Sequence, residues 1–198
     1  MGSAPDLADP AYLKESVRQA VKILIVGHFA VGKTTFIGTL SEIPPLRTEE
    51  QMTQAGEHVD HLHGVPGKTT TTVAMDFGRI TFSNEELVLY LFGTPGQQRF
   101  IQVWEDMVCG ALGALVLVDP ERIADSYPVI DLLEHYGLEY AIGVNYFPSA
   151  PRRPEGELRE ALDVLAETPV VECDPRDEKS SGNALITLVS YLFEHAQQ

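Results

Sequence analysis

Residues Gly27, His28, Phe29, Ala30, Val31, Gly32, Lys33, Thr34 and Thr35 form a G-x-x-x-x-G-K-T run directly after the apolar stretch Val21 to Val26. Those residue types at that spacing suit the binding of a polyphosphate. Gly27 and Gly32 let the backbone turn so that successive N–H groups point inward at phosphate oxygens. Lys33 sets a cation against the β- and γ-phosphates, and the Thr34 hydroxyl can ligate Mg²⁺. A helix opening at Lys33 adds the positive end of its dipole at the same place. A chance glycine turn would need neither the buried strand before it nor the helix after it, so the pattern implies a nucleoside-triphosphate site.

A second chemical stretch is Gly93-Thr94-Pro95-Gly96-Gln97-Gln98-Arg99, again at the end of an apolar run, Leu87 to Phe92. Gly96 has no side chain to keep its N–H from a γ-phosphate, and Gln97 is then placed to orient an attacking water. Arg99, two residues on, is a candidate to reach the same phosphate, against the ordinary alternative of a solvated surface arginine. His58, His61 and His63 cluster with Asp60, but no cysteine or second histidine pair completes four zinc ligands, so a solvated loop cluster is the expectation.

The elements that must position these groups follow from the hydrophobic pattern. Val21–His28 is the first expected strand and Lys33–Glu42 the first helix. Residues 43–71 show no periodicity and read as a long structureless loop, of the kind that is either functional or disordered. Thr72–Phe82 and Glu86–Phe92 are β-rich runs joined as a hairpin. Gln98–Gly110 is expected helical, with Phe100, Ile101, Val103, Trp104, Met107 and Val108 spread wider than one core-facing stripe needs. Those residues suit either sheet packing or a partner surface. Leu112–Asp119 is a strand. Glu121–Tyr136 is helical, with Pro128 expected to kink or divide it. Glu139–Asn145 is a strand, Pro154–Ala166 a helix with Pro154 in its first turn, Pro169–Cys173 a short strand and Ser180–Ala196 a closing helix. Arg152 and Arg153 are expected in a turn. Alternating strands and helices predict an α/β fold: a mostly parallel sheet of about six strands with one antiparallel hairpin strand, and helices on both faces. The organisation is an acidic lead-in over 1–19 and one nucleotide-binding domain over 20–198.

The chain has 198 residues and a net charge of −15, which opposes nucleic acid and anionic membrane as main partners because both are polyanions. No apolar run is long enough to span a bilayer, and the first ten residues lack the basic start and apolar core of a signal peptide. A cytoplasmic protein is therefore expected, without direct membrane insertion. Its two cysteines, Cys109 and Cys173, are expected to be reduced, buried thiols.

The order of strand, P-loop, long loop, threonine-rich hairpin and P-G-Q resembles the Ras-like small GTPases. More closely, Thr69-Thr70-Thr71-Thr72-Val73-Ala74-Met75-Asp76-Phe77-Gly78 and Leu91-Phe92-Gly93-Thr94-Pro95-Gly96-Gln97 are similar to the bacterial MglA-type branch and to the GTP-binding proteins of actinobacterial conservon operons. The resemblance covers roughly residues 20–195. It implies a slow GTPase switch that uses Mg²⁺ with GTP or GDP, with Thr34 and Thr72 (or Thr71) on the metal and Gly96 and Gln97 in the second switch. It places Asn145 and Asp174 at the base. It also implies partners: a Roadblock-type regulator and a membrane-bound, sensor-kinase-like protein.

The chain departs from that pattern in three places. Gly93 stands where Ras-like proteins have an aspartate that supports Mg²⁺ through water. Asp119 is a possible substitute, unless it only ends its strand. Pro148 replaces the aspartate of N-K-x-D, so that only Asn145 survives there. Pro175 falls where a backbone N–H would meet the guanine oxygen, and proline has none to give. Two alternatives stay open: a pseudo-GTPase interaction module with weak or non-selective nucleotide binding, and a P-loop small-molecule kinase. The kinase is opposed by the lack of an arginine-rich lid segment.

Overall fold

The computed structural model describes residues 17–52, 71–82, 86–94, 106–148 and 150–195. Seven strands form one sheet in the order β2-β3-β4-β1-β5-β6-β7. These are β1 (Gln19–Val26), β2 (Leu46–Met52), β3 (Thr71–Phe82), β4 (Leu87–Gly93), β5 (Ala111–Val118), β6 (Tyr140–Val144) and β7 (Val170–Glu172). Only β3 runs against the rest. It pairs antiparallel with β2 and β4, whereas β4-β1-β5-β6-β7 is parallel throughout. The expected α/β architecture with a single reversed strand is thus present, with seven strands rather than about six.

The additional strand is β2, which lies inside the segment expected to be structureless. Leu46-Arg47-Thr48-Glu49-Glu50-Gln51-Met52 has no apolar alternation. It is a strand at the sheet edge because β3 offers it a full register, from Leu46↔Phe77 to Met52↔Thr71. Central strands need no such help. β1 and β5 are continuous apolar runs whose residues Ile23–Val26 and Ala114–Val118 are completely buried, as strands covered on both faces should be.

Four helices, a helical end over 106–108 and one short turn of 3₁₀ complete the described chain. α1 spans Lys33–Leu40, α2 Tyr127–His135, α3 Glu155–Leu162 and α4 Glu178–His195. Pro128 divides its region as expected: a 3₁₀ turn over Ile123–Ser126 precedes it and α2 starts with the proline in its first positions. Pro154 is the residue before α3 rather than a member of its first turn. Arg152 and Arg153 lie in an irregular lead-in, not a turn; Arg152 pairs with Glu172 and stacks 4.2 Å from the Tyr146 ring centroid.

Two apolar layers hold the sheet. On one face, Phe36 and Ile37 of α1 and Ala184, Leu185, Leu188 and Leu192 of α4 pack on Ile23, Ile25, Leu89, Leu91, Leu115 and Leu117. On the other, Ile130 and Leu133 of α2 and Leu158 and Leu162 of α3 pack on Leu24, Val26, Val116, Val118, Ile142 and Val144. Met107 joins this second layer; Phe100, Ile101, Val103 and Trp104 lie outside the described residues. Cys173 is buried, and burial pushes its thiol up to about 12, which makes it unreactive. Cys109 is exposed, contrary to expectation, because it sits in the turn just before β5.

Candidate functional site

The loop after β1 turns through three left-handed residues: Gly27 (φ 137°), Ala30 (φ 65°) and Gly32 (φ 113°). The two glycines are required by space as well as torsion. A Cβ on Gly27 would lie 2.4 Å from the Leu117 carbonyl oxygen, and one on Gly32 would lie 2.9 Å from Cγ of Pro175. Lys33 folds back over the loop, its ammonium donating to the carbonyls of Gly27 at 2.8 Å and His28 at 2.7 Å. Burial pushes its pKa down to about 8, with the Asp76 carboxylate acting in the opposite direction. Thr34 and Thr35 are exposed in the first turn of α1, and Phe29 and Ala30 are exposed at the loop tip.

On the β4 side of the loop, Thr34 Oγ1 donates to Asp76 Oδ2 at 2.5 Å. Asp76 lies directly opposite Gly93 in the β3–β4 register, and a Cβ on Gly93 would be 3.1 Å from Cβ of Asp76 and 3.4 Å from its Oδ2. The carboxylate absent from position 93 is therefore supplied from the next strand into nearly the same space. Sequence reasoning named Asp119 for this task and missed Asp76. Asp119 instead closes the turn after β5, its Oδ1 accepting from the Glu121 N–H at 2.9 Å. The only signal for Asp76 was its offset from Gly93 across the hairpin.

On the β6 and β7 side, Asn145 Nδ2 donates to the Val31 carbonyl at 2.9 Å, which ties the end of β6 to the phosphate loop. Pro175 is buried against Gly32, and its carbonyl accepts from Thr39 Oγ1 at 2.7 Å. Asp174 is held by Arg176: Oδ1 accepts from the Arg176 N–H and Nε, and Oδ2 from a terminal guanidinium nitrogen at 2.9 Å. Those bonds hold its carboxyl below the usual carboxylate range.

His28 is buried inside the loop. Its Nδ1 donates to the Phe29 carbonyl at 2.7 Å, and its Nε2 has no hydrogen-bond partner among the described residues. Burial is the largest cause of its lowered pKa.

The structure thus gathers Gly27, His28, Phe29, Ala30, Val31, Gly32, Lys33, Thr34, Thr35 and Asn145 around one loop. It adds Asp76 on one side and Asp174 near the other. Thr71 and Thr72 open β3. Gly96, Gln97 and Arg99 lie outside the described residues, as do His58, Asp60, His61 and His63. Among the described residues no group of three or more His, Cys, Asp or Glu side chains could hold a metal by itself.

Comparison with known proteins places this arrangement among nucleotide-binding domains. The family described as "conserved hypothetical ATP binding protein" matches residues 25–146, from the end of β1 past Asn145. An uncharacterized protein of Methanocaldococcus jannaschii is 30% identical over 130 residues, 65% of this chain and 71% of that one. The Ras-related protein Rab-11C of Dictyostelium discoideum is 28% identical over 54% of this chain and 39% of its own. Among solved structures, the G domain of the T. maritima FeoB iron transporter superposes with a TM-score of 0.56 at 20% identity, covering 89% of this chain and 99% of that one. The bacterial selenocysteine-specific elongation factor EF-Sec gives 0.61 at 19% identity, covering 89% of this chain and 29% of the factor. The described sheet, with its single reversed strand, is that of a G-domain P-loop fold.

Proposed function

We propose, from the premise that this chain belongs to the conserved hypothetical ATP binding protein family and has a G-domain fold, that it is a small GTP-binding switch of the Ras-like class, with slow hydrolysis and protein partners as its output. The contact between Thr34 and Asp76 carries this reading. A hydroxyl at the start of α1 bonded to a carboxylate beside the phosphate loop is a hard-oxygen donor set, which suits Mg²⁺. Thr34 and Thr72 (or Thr71) would hold the ion, with Asp76 behind them, where a Ras-like chain uses the residue at Gly93. An ion held by those residues alongside GTP or GDP would supply positive charge against the phosphates.

The chain's own residues supply the rest. The loop N–H groups and Lys33 hold the phosphates. Gln97 orients water, and Arg99 is the candidate for stabilising the charge that develops on the γ-phosphate. The triphosphate would draw Thr72 and the Gly96–Gln97 segment inward, and hydrolysis would release them. The sequence phrases around Asp76 and Gln97 support the MglA-type branch, and with it a Roadblock-type regulator and recruitment to a membrane sensor through a partner. No described helix is long and apolar enough to cross a membrane.

The base side favours a second reading, a nucleotide-binding module with poor base selectivity and little turnover. Pro148 and Pro175 remove two guanine contacts, and both oxygens of Asp174 are engaged by Arg176. Calorimetric titration of nucleotide-free protein with GTP, GDP, ATP and ADP, with and without Mg²⁺, separates the two. Guanine-selective, Mg²⁺-dependent binding is expected. Equal affinity for all four would overturn the guanine reading, and adenine preference would reassign the switch to ATP.

A further inference from the structure

His28 is buried within a loop built to hold phosphate, yet nothing in the proposed function uses its ring. Its Nδ1 lies 2.7 Å from the Phe29 carbonyl oxygen. A carbonyl can only accept, so Nδ1 carries the proton; the neutral ring that burial favours then has a bare Nε2, the atom left without a partner among the described residues. In a trans peptide the C=O and the next N–H point in opposite directions. Pinning the Phe29 carbonyl to the ring therefore turns the Ala30 N–H to the other side. Ala30 has φ 65°, a torsion a residue with a side chain adopts only when something holds it there. The His28 carbonyl, in turn, accepts from Lys33 Nζ at 2.7 Å and from the Val31 N–H at 3.4 Å.

From this we infer that His28 is a positioning residue for the phosphate site: by holding the Phe29–Ala30 peptide in one orientation, it presents the Ala30 N–H to a bound phosphate before any ligand arrives. The inference rests on the nucleotide-binding reading and adds to it the group that pre-organises the loop. Without the ring the peptide is free to rotate, and Ala30 loses the reason to stay left-handed. Binding would then carry the cost of ordering the loop. Phe29 and Val31 offer no substitute donor, because an apolar side chain cannot bond the carbonyl.

The test compares two near-isosteres. The amide nitrogen of Asn at position 28 is attached to Cγ and overlays Nδ1, so His28→Asn keeps the donor. The amide nitrogen of Gln overlays the Nε2 position and cannot reach the same carbonyl, so His28→Gln removes it. Affinities for GMP, GDP and GTP are measured by calorimetry, alongside thermal unfolding of each nucleotide-free protein. His28→Gln should weaken GDP and GTP by about tenfold to a hundredfold, up to the worth of the Ala30 N–H bond to phosphate that the loop no longer presents, and leave any GMP binding unchanged; His28→Asn should restore most of the GDP affinity. In the wild type, ¹⁵N spectra should show the Nδ1–H tautomer, with the Ala30 amide among the most shifted on adding GDP, a readout that stands even if a variant fails to fold. Equal GDP affinity of the Gln variant and wild type, or an Nε2–H tautomer, would overturn the inference while leaving nucleotide binding intact. Absence of all nucleotide binding by the wild type would remove the reading beneath it as well.

Discussion

If Lys33 holds the phosphates as proposed, nucleotide binding should be a proton-linked event. The Lys33 pKa in the fold is about 8, against 10.5 for the ordinary side chain. The unfolded chain therefore binds more protons between those values. By linkage, this group's burial penalty is fully present below pH 8 and fades as pH rises toward 10.5, so its contribution to fold stability improves over that window. Phosphate favours the ammonium and pulls the other way. GDP affinity should fall by up to about tenfold per pH unit above pH 8, with proton uptake on binding visible as a dependence of the calorimetric heat on buffer ionisation enthalpy. Lys33→Met should abolish the uptake. The relation between Asp76 and Gly93 gives a sharper test. Asp76→Ala should weaken Mg²⁺-dependent GDP binding by about tenfold or more, and Gly93→Asp should destabilise the protein by about 1–3 kcal/mol, since the new side chain crowds Ile37 and sets a second carboxylate against Asp76. Asp76→Ala combined with Gly93→Asp should recover much of both losses, and a double-mutant cycle by Mg²⁺ titration and urea unfolding measures the coupling. The glycine loop, Lys33 and Thr34 were legible in the sequence because their chemistry is local and contiguous. Asp76 was not, because it is 42 residues from Thr34 and only the β3–β4 register brings them together.

Elements whose own burial makes them strands or helices were legible, and those held by a neighbour were not. β1, β5 and β6 announce themselves as apolar runs. β2 is polar and exists through its ladder with β3, a non-local fact that no window of seven residues contains. The link between α1 and β3 is similar. Glu42, just past α1, accepts from Arg79 Nε at 2.6 Å, from the Thr81 N–H at 3.1 Å and from the Thr81 hydroxyl at 2.7 Å. Arg79 is 6% exposed. Glu42→Ala should therefore cost about 1–3 kcal/mol in urea unfolding, by removing the acceptor of three hydrogen bonds that tie the end of α1 to β3. α4 is anchored in the opposite way, by shape. A Cβ on Gly113 would lie 2.6 Å from both methyls of Leu192 and 2.9 Å from the Glu139 carbonyl oxygen. Gly113→Ala should destabilise by about 1–3 kcal/mol, and its cost should be smaller in a Leu192→Ala background, where the methyls are already gone.

At the scale of the whole molecule, the strand order puts the phosphate loop near the middle of the sheet and divides what surrounds it. Asp76 and Gly93 lie toward the β2 edge, Asn145 and Asp174 toward the β7 edge. The net charge of −15 surrounds a site meant for an anion. Screening that self-repulsion should raise the melting temperature by a few degrees between about 10 and 300 mM NaCl, measurable by scanning calorimetry; a flat or falling curve would show that local ion pairs outweigh the overall field. The position of Asp76 has a mechanical consequence. A carboxylate at position 93 would ride on β4, an inner strand clamped between β3 and β1. Asp76 rides on β3, one strand nearer the rim, and β3 is laced along its other side to β2. If Asp76 backs a cation as proposed, anything that pulled β2 outward would also pull on the strand carrying that carboxylate, and would loosen a bound nucleotide without touching it.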